Sequence, residues 1–231
     1  MQIELLHHTP LWVADKAIGK CWDKPTPDVD ALDDFGECYY EDAIKVTIPG
    51  CNTERIDRVA NKNKHASTIE HLNYTFDIEG ISRACLQELA RHRMASLSVK
   101  STRYTLKELK EAPNMWYDAP KDCDWATGKR FLVMTGDSRV DGSNIHTLGL
   151  LQNKLNQGIS NDIAKYCIPE AYKTSLVWTI NARSLQNFLE LRTNRAALWE
   201  IRELAYEVFK QLPEDHKFLF EDCIYRENKE I

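Results

Sequence analysis

From His71 to Ile78 apolar and polar side chains alternate, Leu72, Tyr74, Phe76 and Ile78 against Asn73, Thr75 and Asp77. A period of two puts each set on one face of a strand, so the pattern predicts a half-buried strand. Gly80 punctuates it, and a helix is predicted from there through about Arg93, with Ile81, Cys85, Leu89 and His92 stacked along one stripe. Ser175–Ile180 (SLVWTI) reads as a buried strand. In the helix after it Leu185, Phe188, Leu189 and Arg192 share the apolar stripe, while Arg183 and Asn187 share another face at i, i+4 spacing. Weaker patterns fill the rest. Residues 1–8 read as a first strand, the region around Thr53 as the cap of a short helix over Glu54–Lys62, and Leu97–Tyr104 as a short strand or extended segment. Ile145–Leu155 and Asn161–Tyr166 read as helices, the second closed by Pro169, and Ala196–Leu212 and His216–Cys223 as closing helices. Two stretches carry no clear period: a loop-rich acidic one over 24–42, and 109–142, rich in Pro, Asp, Gly and Trp, which reads as a surface excursion.

Strands and helices in this order do not alternate regularly enough for a doubly wound parallel sheet. The predicted fold class is α+β, a mixed or antiparallel sheet with packed helices. No Gly/Ser linker, repeat or low-complexity tract divides the 231 residues, so 1–231 is expected to be a single domain. A formal net charge of −5 disfavours nonspecific nucleic-acid binding but leaves room for a local basic patch. The absence of a membrane-length apolar run and of a signal-peptide pattern points to the cytoplasm. The seven cysteines are scattered without a C-x-x-C pair, and the seven histidines lack H-E-x-x-H spacing. Reduced thiols and no metal site are therefore expected.

Chemistry concentrates between residues 91 and 104: Arg91-His92-Arg93-Met94-Ala95-Ser96-Leu97-Ser98-Val99-Lys100-Ser101-Thr102-Arg103-Tyr104. Such density of cations and hydroxyls suits a polyanionic ligand, because each phosphate takes several donors and a compensating charge. A solvated basic turn at a helix C-terminus explains the composition as well. His92 reads equally as a core histidine satisfied by a backbone group, although burial between two arginines is costly without an anion. Arg192, at the end of its apolar stripe, is either a snorkelling C-terminal cation or a charge held for an anion.

The order of residues narrows this. Arg-His-Arg, seven residues, then Ser (Arg91, His92, Arg93, Ser101), continued by Arg103-Tyr104, resembles the signature of the flavin-dependent thymidylate synthases. A second block, Asn181-Ala182-Arg183-Ser184-Leu185, then Asn187-Phe188 and Leu191-Arg192, followed by Trp199-Glu200-Ile201, resembles that family's C-terminal segment. The resemblance extends more weakly from about His65 to the end. It implies dTMP formation from dUMP, with methylenetetrahydrofolate as carbon donor and NADPH as reductant of a bound FAD, in a homotetramer whose subunits share active sites. It implies no cysteine nucleophile, in keeping with the lack of the Pro-Cys context that resembles the nucleophile loop of the folate-reducing thymidylate synthases.

Carried over by position, Arg192 matches the arginine that contacts the uracil and favours its N3 anion. Ser67, Arg91, His92, Arg93, Asn181, Arg183 and Asn187 match flavin contacts, Ser67 lying upstream of a Glu70-His71 pair that resembles the family's. Ser101, Thr102 and Arg103, with Lys100 beside them, match the dUMP phosphate site; Glu88, Arg91 and Lys165 complete the nucleotide set. Several positions depart from the pattern. Val99 stands at a flavin position where many relatives carry glutamate, which leaves only backbone contact. Glu88 stands where glutamine is usual, with Gln87 one step earlier, so either can face the nucleotide; a carboxylate there is unfavourable unless an arginine pairs with it. Lys165 replaces a frequent arginine, Arg195 a histidine and Leu198 a glutamine. The competing reading is a non-catalytic flavin-, nucleotide- or RNA-binding protein built on the same basic patch.

Overall fold

The computed structural model describes residues 1–22, 51–115 and 122–225. The acidic stretch 24–42 lies outside them, as do Cys38 and residues 116–121 of the expected excursion. Four strands, β1 (Gln2–His8), β2 (Asn73–Ser82), β3 (Ala95–Val99) and β4 (Lys173–Asn181), form one sheet in the order β1-β2-β4-β3, every pair antiparallel. The helices are α1 (Trp12–Cys21), α2 (Thr53–Asp57), α3 (Arg83–Leu89), α4 (Thr102–Lys110), α5 (Asp122–Phe131), α6 (Ser138–Asn156), α7 (Asn161–Ala164), α8 (Ala182–Arg192) and α9 (Trp199–Gln211). The α+β expectation holds, with the sheet antiparallel rather than mixed.

Tyr74, Phe76 and Ile78 of β2 and Leu176, Trp178 and Ile180 of β4 form the buried face of the sheet, as the alternation predicts. Onto it pack Ala14 and Ile18 of α1, Cys85 and Leu89 of α3, Leu185, Phe188 and Leu189 of α8, and Ile201, Leu204 and Val208 of α9. The other face carries polar pairs such as Thr75 and Thr179, whose hydroxyl oxygens lie 3.0 Å apart. A second apolar cluster joins Leu106 and Leu109 of α4, Phe131 of α5, Ile145, Leu148 and Leu151 of α6, and Tyr172 ahead of β4.

Several element boundaries differ from the sequence pattern. Gly80 does not end β2: its φ of +76° lies where the register shifts between Glu79 and Ile81, a bulge that lets the strand run on to Ser82. The following helix stops at Leu89, short of Arg93, because the chain turns there to enter β3, with the His92 N–H donating to Leu89 at 3.1 Å. The short helix near residue 53 is capped by Asn52, whose Oδ1 accepts from the Arg55 N–H at 2.8 Å, and continues as a π-helical turn over Arg58–Lys62. Of the expected 97–104 segment only Leu97–Val99 belongs to a strand, and α4 begins at Thr102 with extended Ser101 at its N-cap position. Within the expected excursion at 109–142, α5 and the first turn of α6 are helical, and Phe131 of α5 joins the second cluster. The last expected helix is instead two 3-10 turns, Glu214–Leu219 and Glu221–Cys223.

Candidate active site

Three local structures converge on one pocket. Ser82 begins α3: its Oγ accepts from the Cys85 N–H at 3.0 Å and donates to buried Glu200 in the first turn of α9, while its N–H donates to Glu200 Oε1 at 2.7 Å. That contact fixes the start of the helix whose far end carries Glu88 and the Arg91–Met94 turn. Asn181 caps α8, its Oδ1 accepting from the Ser184 N–H at 2.8 Å, and the Ala182 N–H donates to Leu72 at 2.8 Å. The second bond sets α8 against the 3-10 turn Ala66–Ile69 and the Glu70 that follows it. Between them lies a pocket of about 630 Å³, within the usual size range for small-molecule sites.

Arg91, His92 and Arg93 line this pocket together with Asn181, Arg183, Asn187 and Arg192, so the two sequence blocks meet. Its four arginines fall into two kinds. Arg183 Nη1 is 2.6 Å from Glu70 Oε1, and Arg192 Nη1 is 2.7 Å from Glu88 Oε2. Arg91 and Arg93 have no carboxylate within ion-pair distance among the described residues. The pocket therefore presents two uncompensated guanidinium charges, the arrangement that an anionic ligand requires.

Arg192 is held most firmly. Its Nε donates to His92 Nε2 at 2.9 Å and its Nη2 to the Glu88 carbonyl at 3.2 Å, besides the Nη1 contact to the Glu88 carboxylate. It is thus an ion-pair partner rather than a snorkelling cation. Because His92 Nε2 accepts, the ring carries its proton on Nδ1. Burial, and then the Arg192 charge, push the His92 pKa down from 6.5 to about 4, with Glu88 pulling the other way; the ring is neutral at ordinary pH. It packs edge-on against Phe188, ring centroids 5.0 Å apart, so its core role and its polar contact coexist. Gln87 is directed elsewhere, donating to Glu170 at 2.8 Å, and of the two candidates it is Glu88 that meets Arg192. Cys85 stands close by. Burial, then Glu200 and Glu88, raise its thiol pKa far above the ordinary range, which disfavours the thiolate.

The remaining predicted residues lie elsewhere. Lys100 to Arg103 follow the other end of β3, and the four steps of Ala95–Val99 at about 3.3 Å each span roughly 13 Å. There Lys100 Nζ contacts Glu108 at 3.1 Å, Arg103 Nη1 contacts Asp162 at 3.6 Å, and Lys165 lies 5.8 Å over the Tyr166 ring. Ser101 and Thr102 open α4. One chain thus brings the Arg91–Arg93 and Asn181–Arg192 groups together and leaves the Lys100–Arg103 group apart. Ser67 is exposed and outside the pocket lining. Val99 is 40% exposed at the end of an edge strand, so core packing does not explain valine there. Glu70, Met94, Ser184 and Leu191 also line the pocket; all four stand in or beside the quoted motifs, but none has a site role assigned from the sequence.

An antiparallel α+β fold that carries, beside the end of α3 and along α8, a pocket lined by four arginines has a site of the class that suits anionic ligands. Residues 5–216 match the family model described as thymidylate synthase complementing protein. The flavin-dependent thymidylate synthase of Campylobacter jejuni (strain RM1221) is 52% identical over 227 residues, covering 98% of this chain and 99% of that protein. The Wolinella succinogenes enzyme of the same name is 51% identical over 227 residues, covering 98% and 100%. A crystal structure of thymidylate synthase X from Helicobacter pylori with FAD and dUMP superposes with a TM-score of 0.81 at 42% identity, covering 98% of this chain and 100% of that one. The chain belongs to the flavin-dependent thymidylate synthase family.

Proposed function

We propose that this protein makes dTMP from dUMP, taking its carbon from methylenetetrahydrofolate and its reducing equivalents from NADPH through bound FAD. The observation that carries the reading is the pair of uncompensated guanidiniums, Arg91 and Arg93, in the pocket built by both sequence blocks. Two free positive charges match the two negative charges of a dinucleotide pyrophosphate. The donor set therefore fits FAD, with Arg91 and Arg93 on its phosphates, and His92, Asn181, Arg183 and Asn187 placed to shape its surroundings. Bound there, FAD supplies the redox chemistry.

The protein's own part is orientation and electrostatics. Arg192 offers N–H donors to the uracil and favours negative charge on the ring, which raises the nucleophilicity of C5. Ser101, Thr102 and Arg103 at the N-terminus of α4 are suited to the dUMP phosphate, where helix amides and dipole add to the Arg103 charge. Lys100 and Lys165 supply further charge without the bidentate fork of arginine. Because some 13 Å of β3 separates this group from the Arg91–Arg93 turn that lines the pocket with Arg192, we infer that a complete site takes its phosphate-binding residues from another subunit. We infer a homotetramer with shared sites, acting in the cytoplasm, each chain 1–231 a single catalytic domain. Among the described residues no helix is long and apolar enough to cross a membrane.

Replacing both Arg91 and Arg93 by alanine tests the reading at its carrying observation. The variant is expected to lose at least about 100-fold in FAD affinity, two charge-assisted contacts of about 1.5–3 kcal/mol each being removed. Unchanged flavin retention after gel filtration would show that the two guanidiniums do not hold the cofactor.

A further inference from the structure

Three carboxylates buried in the described part of the chain have evident structural partners: Asp15 with Arg55, Asp141 with Thr135 and Gly136, Glu200 with Ser82. Glu88 differs. Its side chain is 37% exposed, and its partner Arg192 lines the pocket. A guanidinium has five N–H donors. Three of those of Arg192 are engaged, one by His92 and two by Glu88 through its carboxylate and its carbonyl, which leaves two for a ligand. An arginine on the last turn of a helix has several freely rotating bonds and, unrestrained, would spread over many rotamers. The carboxylate also carries a cost, because it cancels charge that would otherwise act on the substrate. Position and charge therefore pull in opposite directions at this residue, and they can be told apart.

We propose that Glu88 acts through Arg192 as a positioning residue, locking the guanidinium against neutral His92 so that its two remaining N–H groups meet the pyrimidine in a fixed orientation. The inference rests on the reading that Arg192 faces the uracil. Glu88 is not itself a catalytic residue here. Its acceptor geometry matters, and its negative charge does not. Glutamine keeps an acceptor at the same reach without the charge; aspartate keeps the charge but withdraws it by one methylene.

The experiment compares Glu88→Gln, Glu88→Asp and Glu88→Ala with the parent enzyme in its flavin-loaded form, measuring kcat, KM for dUMP, dUMP affinity by calorimetry, and flavin retention. Expected is the order Glu, Gln, Asp, Ala in kcat, with Ala down by about 10- to 100-fold, Gln recovering most of that loss, dUMP affinity falling in the same order, and flavin retained throughout. Should the alanine variant not fold, the order of Gln and Asp still decides. Aspartate outperforming glutamine would make charge the requirement and overturn the proposal, as would an alanine variant with parental kcat and dUMP affinity. Arg192→Ala separates this from the underlying reading. If that variant is fully active, the role of Arg192 falls and this inference with it; if it is inactive while Glu88→Ala is unimpaired, only the inference falls.

Discussion

His92 and Arg192 are each legible in the sequence as something ordinary, a core histidine and a terminal arginine. The stripe Ile81, Cys85, Leu89, His92 is buried along its whole length, although its first residue is in β2 and its last in a turn. What spacing alone leaves open is that the two side chains bond to each other at 2.9 Å, because that contact joins residues a hundred positions apart. Two predictions belong here. Arg192→Ala is expected to keep its flavin and to lose dTMP formation by about 10²–10³-fold, the size seen when a donor to developing charge is removed; unimpaired turnover would show its role to be misassigned. The second concerns acid. Unfolded histidine protonates near 6.5 and folded His92 only at about 4, so in between the unfolded chain binds a proton that the folded one refuses. Stability present at neutral pH is therefore lost as pH falls from about 6.5 towards 4, and burial shifts His216 in the same direction. Thermal unfolding across that window should show a falling midpoint; a midpoint that holds or rises would contradict the assignment.

At the scale of elements, strands and the helix α8 were readable because one face is apolar and the period is clean. The start of α6 at Ser138 was not, although its later part, Ile145–Leu155, was readable as a helix. Its buried positions include Asp141, Gly149 and Gln152 among Ile145, Leu148 and Leu151, so the apolar stripe is interrupted by residues that sequence reading places outside. Asp141 and Gln152 each have partners that only the fold supplies. Asp141 accepts from the Thr135 and Gly136 N–H groups at 2.8 and 3.1 Å, and Gln152 Oε1 accepts from the Met115 N–H at 2.8 Å. The same holds for Glu200, whose capture of Ser82 joins α9 to the start of α3. Ser82→Ala removes the α3 cap and one contact of a buried carboxylate. It is expected to cost about 1–3 kcal/mol of folding stability, read from chemical denaturation. A loss under about 0.5 kcal/mol, the scale of a neutral surface change, would mean that the cap does not hold this junction.

The whole molecule separates what the Arg91–Tyr104 stretch holds together in sequence. Its arginines turn into the pocket with α8, and its serine, threonine and last arginine lie beyond the far end of β3. Sequence reading divided the stretch into a flavin part and a phosphate part; the strand between them gives that division a length. If subunits share sites, mixed assemblies of Arg192→Ala and Arg103→Ala chains should recover activity that neither variant has, up to about a quarter of the parental level if chains mix at random. A mixture no more active than its components would place each site within one chain. Whether this family member is a working flavin enzyme is decided by the anaerobic absorbance spectrum of the purified protein supplied with FAD. The expected spectrum shows flavin absorbance that stays with the protein, bleaches on addition of NADPH, and returns as dUMP and methylenetetrahydrofolate are converted to dTMP. A protein that never retains flavin absorbance, or whose flavin bleaches without dTMP being formed, would contradict it.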